Sequence, residues 1–221
     1  MTPYYADDLV TIYHGDCRDL LPIDADVLLT DPPYGIGWAL HGGGHKAKMA
    51  GTRIHAGIEG DADTSLRDAV LGMLPEMPGA VFGSFQAPFP ADVRQVLIYH
   101  KSADSGLVGS VTGFRKDTEP IFLVGPWPRR DVSRSSLFTS QIGLQRLQKV
   151  LGHPHAKPVD VLIPLLRMCP EGTVLDPFMG SGSTLVAAKS LGRRAIGIEI
   201  DERYCEIAAR RCSQEVLGLG A

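Results

Sequence analysis

The chain has 221 residues, of which 44% are hydrophobic and 21% charged, and a formal net charge of −3 at neutral pH. These values are ordinary for one soluble α/β domain with a small insertion. No apolar stretch reaches about 18 residues, so we expect no membrane span. The first eight residues carry two acids and no basic, apolar segment, so we expect no secretion signal.

Hydrophobic runs and turn residues predict an α/β fold in which strands and helices alternate. The predicted strands cover residues 10–13, 27–30, 80–85 and 119–124, then a run beginning at Thr173, then 194–198. The predicted helices cover residues 18–21, 64–77, 90–99, 160–168 and 185–189. Residues 35–60 form a long loop rich in Gly and His, which we expect to fold over substrate.

The apolar run of residues 25–30 ends in Asp31-Pro32-Pro33-Tyr34. Two consecutive prolines end a strand, because they remove backbone donors and fix the turn. The carboxylate and the aromatic ring are therefore predicted at the carboxyl edge of a sheet, where open α/β folds bind ligands. Together with a proline carbonyl they suit a planar substrate with a polar edge, such as the exocyclic amine of a base. An ordinary Asp-Pro turn is the alternative that this segment alone leaves open.

A second pattern runs from Thr173 through the turn at residues 176–184 into a helix. Gly180 and Gly182 allow positive φ and let the backbone approach a ligand closely. The helix points its free N–H groups and its positive end into the same space. Glu199 ends the next strand, 17 positions after Gly182, where a carboxylate can accept both hydroxyls of a ribose. A P-loop does not fit, because no Lys-Ser/Thr pair follows the glycines.

The two patterns together resemble the amino-group DNA methyltransferases of the permuted (beta) class, in which a DPPY-type motif precedes an FxGxG motif. Residues 12–17, 153–158 (His-Pro-His-Ala-Lys-Pro) and 199–204 carry the resemblance further, over nearly the whole chain. It implies a Rossmann-like S-adenosylmethionine-dependent methyltransferase sheet in permuted order. Within a single domain, residues 1–124 are the expected catalytic half, 125–151 a candidate target-recognition insert, and 152–221 the cofactor-binding half.

The resemblance also implies the site residues. The catalytic ones are Asp31, Pro32, Pro33 and Tyr34. S-adenosylmethionine is the expected cofactor, and no metal is expected. The cofactor-binding residues are expected to be Asp16, Cys17, Asp31, Lys157, Pro158, Asp176, Pro177, Phe178, Gly180, Ser181, Gly182, Ser183, Thr184, Glu199 and Ile200. Asp16 is expected beside Glu199, accepting a hydrogen bond from the adenine amine of the cofactor. The expected partner is double-stranded DNA, and the protein is expected to be a cytoplasmic monomer or homodimer of a bacterial or phage-infected cell.

The chemistry of amine methylation assigns roles to the DPPY residues. The amine lone pair is delocalised into the base, so Asp31 and the Pro32 carbonyl are expected to accept its N–H bonds and turn the lone pair toward the methyl group. Tyr34 is expected to stack on a base rotated out of the duplex. Carbon-5 cytosine methylation needs a Pro-Cys nucleophile, and no cysteine of this chain follows a proline.

Three alternatives to adenine-N6 methylation of DNA stay open. The Asp that begins the motif is typical of adenine-N6 enzymes, whereas Ser is more typical of cytosine-N4 enzymes. Enzymes that methylate protein glutamine or a small molecule usually carry an Asn-Pro-Pro-Tyr variant in unpermuted order. A DNA-binding relative without turnover is disfavoured by the intact Asp31, Tyr34, Gly180 and Glu199.

The net negative charge is unusual for a DNA-binding protein, but the local charge decides contact with phosphates. Two basic segments are candidates for DNA contact, one in the loop and one in the insert. They contain Lys46, Lys48, Arg53, Arg129, Arg130 and Arg134. The four cysteines show no Cys-x-x-Cys spacing and are interpreted as reduced, cytosolic thiols.

Overall fold

The computed structural model describes residues 2–37, 60–102, 113–129, 131–143 and 156–214. Within these residues, nine strands form one sheet. The strands are β1 (Tyr5–Ala6), β2 (Val10–His14), β3 (Val27–Thr30), β4 (Gly79–Phe82), β5 (Gln95–His100), β6 (Thr118–Val124), β7 (Leu137–Thr139), β8 (Val174–Asp176) and β9 (Ala195–Glu199). The helices are α1 (Cys17–Leu20), α2 (Ser65–Gly72), α3 (Val159–Leu166), α4 (Ser183–Ser190) and α5 (Glu202–Ser213).

The strand order is β1-β2-β9-β8-β3-β4-β6-β5-β7. Strands β2, β9, β8, β3 and β4 run parallel to one another. β6 is antiparallel to β4 and to β5, and β7 is parallel to β5. One side of the sheet, here named the carboxyl edge, therefore carries the last residues of the parallel strands together with the first residues of β6 and the last of β5 and β7. The mixed α/β sheet confirms the predicted fold class.

The first long strand of the chain lies beside the last one. β2 pairs with β9 from Val10 opposite Ala195 to His14 opposite Glu199. Every residue of β3 and β4 is buried, as expected for parallel strands covered on both faces. Apolar residues of α3 and α4 join the core on one face, among them Leu162, Leu165 and Leu185.

The predicted helix at residues 90–99 is wrong, because residues 90–94 are not helical and β5 begins at Gln95. Val96, Ile98 and Tyr99 are β-branched or aromatic and favour a strand, and alternate residues of β5 are more deeply buried. Asp92, with φ of 55°, lies in the left-handed region shortly before the strand. The predicted helix at residues 64–77 is confirmed only for Ser65–Gly72.

The segment of residues 125–151 contributes β7 to the edge of the sheet, so part of it belongs to the main fold. Most of the long Gly- and His-rich loop, residues 38–59, lies outside the described residues. In the part of the chain that the structure describes, no helix is long and apolar enough to cross a membrane.

Candidate active site

The Asp31–Tyr34 turn follows β3 directly and lies at the carboxyl edge. The Tyr34 hydroxyl donates to Asp31 Oδ1 over 2.7 Å. The Lys157 ammonium donates to Asp31 Oδ2 over 2.7 Å and to the Tyr34 oxygen over 2.9 Å. The structure therefore brings three predicted site residues together, and protein donors contact both oxygens of the Asp31 carboxylate.

A buried aspartate fixes the backbone after Tyr34. Asp61 is only 5% exposed, and its Oδ1 accepts the Gly35 N–H over 2.8 Å. Its carbonyl accepts the Gly37 N–H over 2.8 Å. Gly35 has φ of +71°, and a Cβ there would lie 2.4 Å from the backbone of Asp63. A side chain at position 35 would displace this turn.

Glu119, which the sequence analysis did not select, also reaches the catalytic turn. β6 is antiparallel to β4, so its first residues lie at the carboxyl edge. Glu119 Oε2 is 3.3 Å from the Tyr34 hydroxyl and 3.3 Å from Lys157 Nζ, and Glu119 Oε1 is 2.6 Å from Lys101 Nζ. The only sequence signal was its place at the start of a predicted strand, whose direction in the sheet the sequence did not give.

The charges of this cluster stabilise one another. Burial raises the pKa of Glu119. The Lys157 and Lys101 ammonium groups together lower it by more, so the pKa of Glu119 is below its ordinary value. Burial lowers the pKa of Lys157. The negative charges of Asp31 and Glu119 together have the larger effect and raise this pKa above its ordinary value. Burial, followed by the negative charge of Asp31, raises the pKa of the Tyr34 hydroxyl well above its usual range. Tyr34 is therefore a neutral hydrogen-bond donor, and Lys157 stays charged.

The glycine turn between β8 and α4 is bound to the end of β9. Glu199 Oε2 accepts the Gly180 N–H, and Glu199 Oε1 accepts the Asp201 N–H, both over 2.9 Å. Gly182 has φ of +77°, and a Cβ there would lie 2.8 Å from the Ala208 Cβ of α5. Each carboxylate oxygen has a second acceptor site, so Glu199 can accept further hydrogen bonds. Burial raises the pKa of Glu199.

Asp176 connects the glycine turn to the catalytic strand. Its carboxylate is 2% exposed, and its Oδ1 accepts the Thr30 hydroxyl over 2.7 Å and the Phe178 N–H over 3.2 Å. Thr30 directly precedes Asp31. Burial raises the pKa of Asp176 to about 7.

Asp16 lies two residues after β2, close to the end of β9, as the sequence analysis predicted. The Gly15 N–H donates to the Glu199 carbonyl over 2.9 Å. Asp16 caps α1 by accepting the Arg18 N–H, and its carboxylate also contacts the Arg18 guanidinium. The hydrogen bond from the Arg18 side chain lowers the pKa of Asp16. Asp16 is therefore an anion held beside Glu199.

The other predicted cofactor residues surround this edge. Cys17, Ser181, Ser183 and Thr184 are buried, and Ile200 is 43% exposed. Pro158 caps α3 directly after Lys157, whereas residues 153–155 of the same predicted motif lie outside the described residues. Arg211 of α5, which sequence reasoning missed, donates to Ser181 Oγ and Ser183 Oγ over 3.1 and 3.3 Å.

Of the six candidate DNA contacts, two lie within the described residues, and neither makes a described contact with the catalytic turn. Lys46, Lys48, Arg53 and Arg130 lie outside the described residues, while Arg129 and Arg134 are exposed. The indole N–H of Trp127 donates to the carbonyl of Gly79 over 3.1 Å. Gly79 begins β4, so Arg129, two residues beyond Trp127, lies at the edge opposite Asp31.

Two further observations concern metal ligands and thiols. Among the described residues, no cluster of His, Cys, Asp and Glu side chains could hold a metal ion. All four cysteines are free and buried. Cys205 and Cys212 of α5 belong to the main core cluster.

The fold and the site define an α/β sheet that presents a carboxylate turn and a glycine turn side by side. The type II methyltransferase M.ScaI of Streptomyces caespitosus is 27% identical over 98% of this chain and 86% of that protein. The structure of the M1.HpyAVI–SAM complex is 20% identical, with a TM-score of 0.59 over 92% of this chain and all of that one. The cytosine-N4-specific PvuII DNA methyltransferase is 17% identical, with a TM-score of 0.64 over 98% of this chain and 90% of that one. These two structures show the fold.

The family model for N6/N4-type DNA methylases matches residues 92–210, more than half of the chain. The protein therefore belongs to the DNA methylase family. The predicted amino-group DNA methyltransferase, which uses S-adenosylmethionine, is confirmed at the level of the family. The matched residues begin after the Asp31–Tyr34 turn, so the roles of the individual site residues remain proposals.

Proposed function

We propose that the protein methylates the N6 amine of an adenine rotated out of double-stranded DNA. The observation that carries this proposal is the Asp31 carboxylate, which lies at the carboxyl edge with Tyr34 and Lys157 on its two oxygens. Extrusion of the base from the stack is the means by which an enzyme can reach an amine inside a duplex. Asp31 accepts one N–H of that amine, and the Pro32 carbonyl accepts the other.

The residues present fit S-adenosylmethionine. Asp16 follows β2 by two residues, and Glu199 ends the neighbouring β9, so their two carboxylates can accept hydrogen bonds from an amine and from ribose hydroxyls. Gly180 and Gly182 both have positive φ and leave room for a close ligand. The cofactor supplies an electrophilic methyl group on a sulfonium. Since the transfer depends mostly on alignment, Asp31 and Tyr34 contribute by orienting the amine.

Adenine is favoured over cytosine because the motif begins with Asp. Cytosine-N4 methylation is the second candidate, since the cytosine-N4-specific PvuII enzyme shares the fold. Both target amines offer two N–H donors, which Asp31 and the Pro32 carbonyl can accept in either case. The test must therefore identify the methylated base itself.

The proposed DNA-reading element is the part of the 125–151 insert that begins at Thr139. β7 is parallel to β5, so Thr139 and the described residues that follow it, 140–143, lie at the carboxyl edge. Ser140 is bound there through its N–H to the His100 carbonyl over 3.3 Å and through its hydroxyl to Asp160 Oδ1 over 3.0 Å. A short insert leaves little surface for reading bases, so we expect a short recognition sequence, read on DNA inside a bacterial cell.

Sequencing with base-resolved methylation, on DNA from cells that express the chain, tests the proposal. We expect N6-methyladenine at one short site, and its loss in the Asp31→Ala variant. Asp24→Ala is the matched control, because Asp24 is an exposed carboxylate shortly before β3. N4-methylcytosine would establish the second candidate, and full methylation by Asp31→Ala would refute the role of Asp31.

A further inference from the structure

Two hydrogen-bond donors at the catalytic turn lie between two carboxylates. The Tyr34 hydroxyl and Lys157 Nζ are each 2.7 Å from an oxygen of Asp31. Each is also 3.3 Å from the same atom of Glu119, Oε2. The side chain of Glu119 is only 15% exposed, so water screens this arrangement little.

The donors occupy the carboxylate that the target amine must reach. Asp31 receives an ammonium on one oxygen and a hydroxyl on the other. A neutral amine competes poorly with an ammonium for a carboxylate, because charge-assisted hydrogen bonds are the stronger ones. Each oxygen of Asp31 has a second acceptor site, but the amine binds Asp31 more strongly when Lys157 has another anion as its partner.

We propose that Glu119 is a positioning residue, which accepts the Lys157 ammonium and the Tyr34 hydroxyl when the target amine arrives at Asp31. Shortening a 3.3 Å contact to an ordinary hydrogen bond requires a movement of about half an ångström. Lys157 remains paired with a carboxylate throughout. Lys101 contacts the other oxygen of Glu119, Oε1, which leaves Oε2 directed at the two donors.

This inference rests on the proposed role of Asp31 as the acceptor of the target amine. Glu119→Gln keeps the size of the side chain and an acceptor oxygen but removes the charge. We expect single-turnover methyl transfer, at saturating DNA and S-adenosylmethionine, to slow at least about tenfold. The Kd for S-adenosylmethionine, measured by calorimetry, is expected to change less than about twofold, because the variant acts on the step at Asp31.

Lys101→Gln is the matched control, since it breaks the same Lys101–Glu119 ion pair but keeps the charge of Glu119. We expect Lys101→Gln to slow the transfer much less than Glu119→Gln, because Glu119 keeps its charge, and Glu119→Asp to recover part of the rate that Glu119→Gln loses. In a Lys157→Gln background no ammonium needs a second partner, so adding Glu119→Gln should cause little further loss of transfer rate. If Glu119→Gln alone does not fold, Glu119→Gln combined with Lys101→Gln keeps the charge balanced and should show the same slow transfer.

If the Asp31→Ala variant is inactive, two results would still overturn the inference. The first is transfer by Glu119→Gln at the wild-type rate. The second is an equal loss in Glu119→Gln and Lys101→Gln, which would make Glu119 only a structural partner of Lys101. Active Asp31→Ala would instead refute the proposed function, and the inference with it.

Discussion

The buried carboxyl group of Asp176 should make the stability of the cofactor-free protein depend on pH in a way that one substitution removes. Burial raises its pKa from 3.8 to about 7. The folded protein therefore holds a proton between about pH 4 and 7 that the unfolded chain releases. The stability that this group confers is fully present below about pH 4 and is lost as the pH rises to about 7.

A pKa raised from 3.8 to about 7 corresponds to about 4 kcal/mol, at roughly 1.4 kcal/mol per pH unit. Asp176→Asn removes this pH dependence and preserves the oxygen that accepts the Thr30 hydroxyl and the Phe178 N–H. The free energy of unfolding of the variant, relative to the wild type, should therefore increase by up to about 4 kcal/mol from pH 4 to pH 7.

Urea unfolding at half-unit intervals from pH 4 to pH 8 measures this difference, because other titrating groups are common to both proteins and cancel. A constant difference across the range would refute the reasoning and would mean that Asp176 titrates near its ordinary pKa. A difference that rises only above pH 7 would assign the effect to another group.

Three further predictions concern ligands and catalysis. Glu199→Ala should weaken S-adenosylmethionine binding in calorimetry at least about tenfold. Glu206→Ala, which removes an exposed carboxylate of α5, should leave the affinity unchanged. Equal affinities of these two variants would remove Glu199 from the cofactor site. Tyr34→Phe should retain measurable methyl transfer at a rate below wild type, because the ring stays but the hydrogen bond to Asp31 is lost, and Tyr34→Ala should be far slower; equal rates for the two variants would show that the ring contributes nothing. Lys116 lies two residues before β6, at the carboxyl edge, so Lys116→Ala should reduce the slope of log K for DNA against log salt concentration by about one. Arg129→Ala should leave this slope nearly unchanged. The reverse result would place the DNA at the opposite edge.

Short-range patterns in the sequence predicted most of the sheet. The apolar runs before Asp31 and Asp176 are buried strands in the structure, because strands covered on both faces must be apolar throughout. The segment of β5 was mistaken for a helix because its apolar residues are also compatible with a helical face over a short length. The segment is a strand because it pairs with β6, and the sequence of neither segment alone encodes this pairing.

The residues of the candidate site also divide into those that a motif predicts and those that only the tertiary fold brings to the site. Asp31 directly follows β3 and Glu199 ends β9, so the sequence predicts their place at the carboxyl edge. Glu119 reaches that edge only because β6 runs antiparallel to β4. Arg211 reaches the glycine turn from the far end of α5. Contacts of this kind depend on the order and direction of the elements, which a motif does not contain.

The position of β2 beside β9 has a consequence for the nascent chain. Between β2 and β3 the completed sheet contains β9 and β8, the two strands that leave the ribosome last. Until they emerge, β2 and β3 each have an unpaired apolar edge, and pairings of such sequence separation form slowly. A prematurely terminated chain that lacks residues 174–199 would leave these edges open to aggregation and proteolysis, so that only chains extending through β9 can persist as folded methylase.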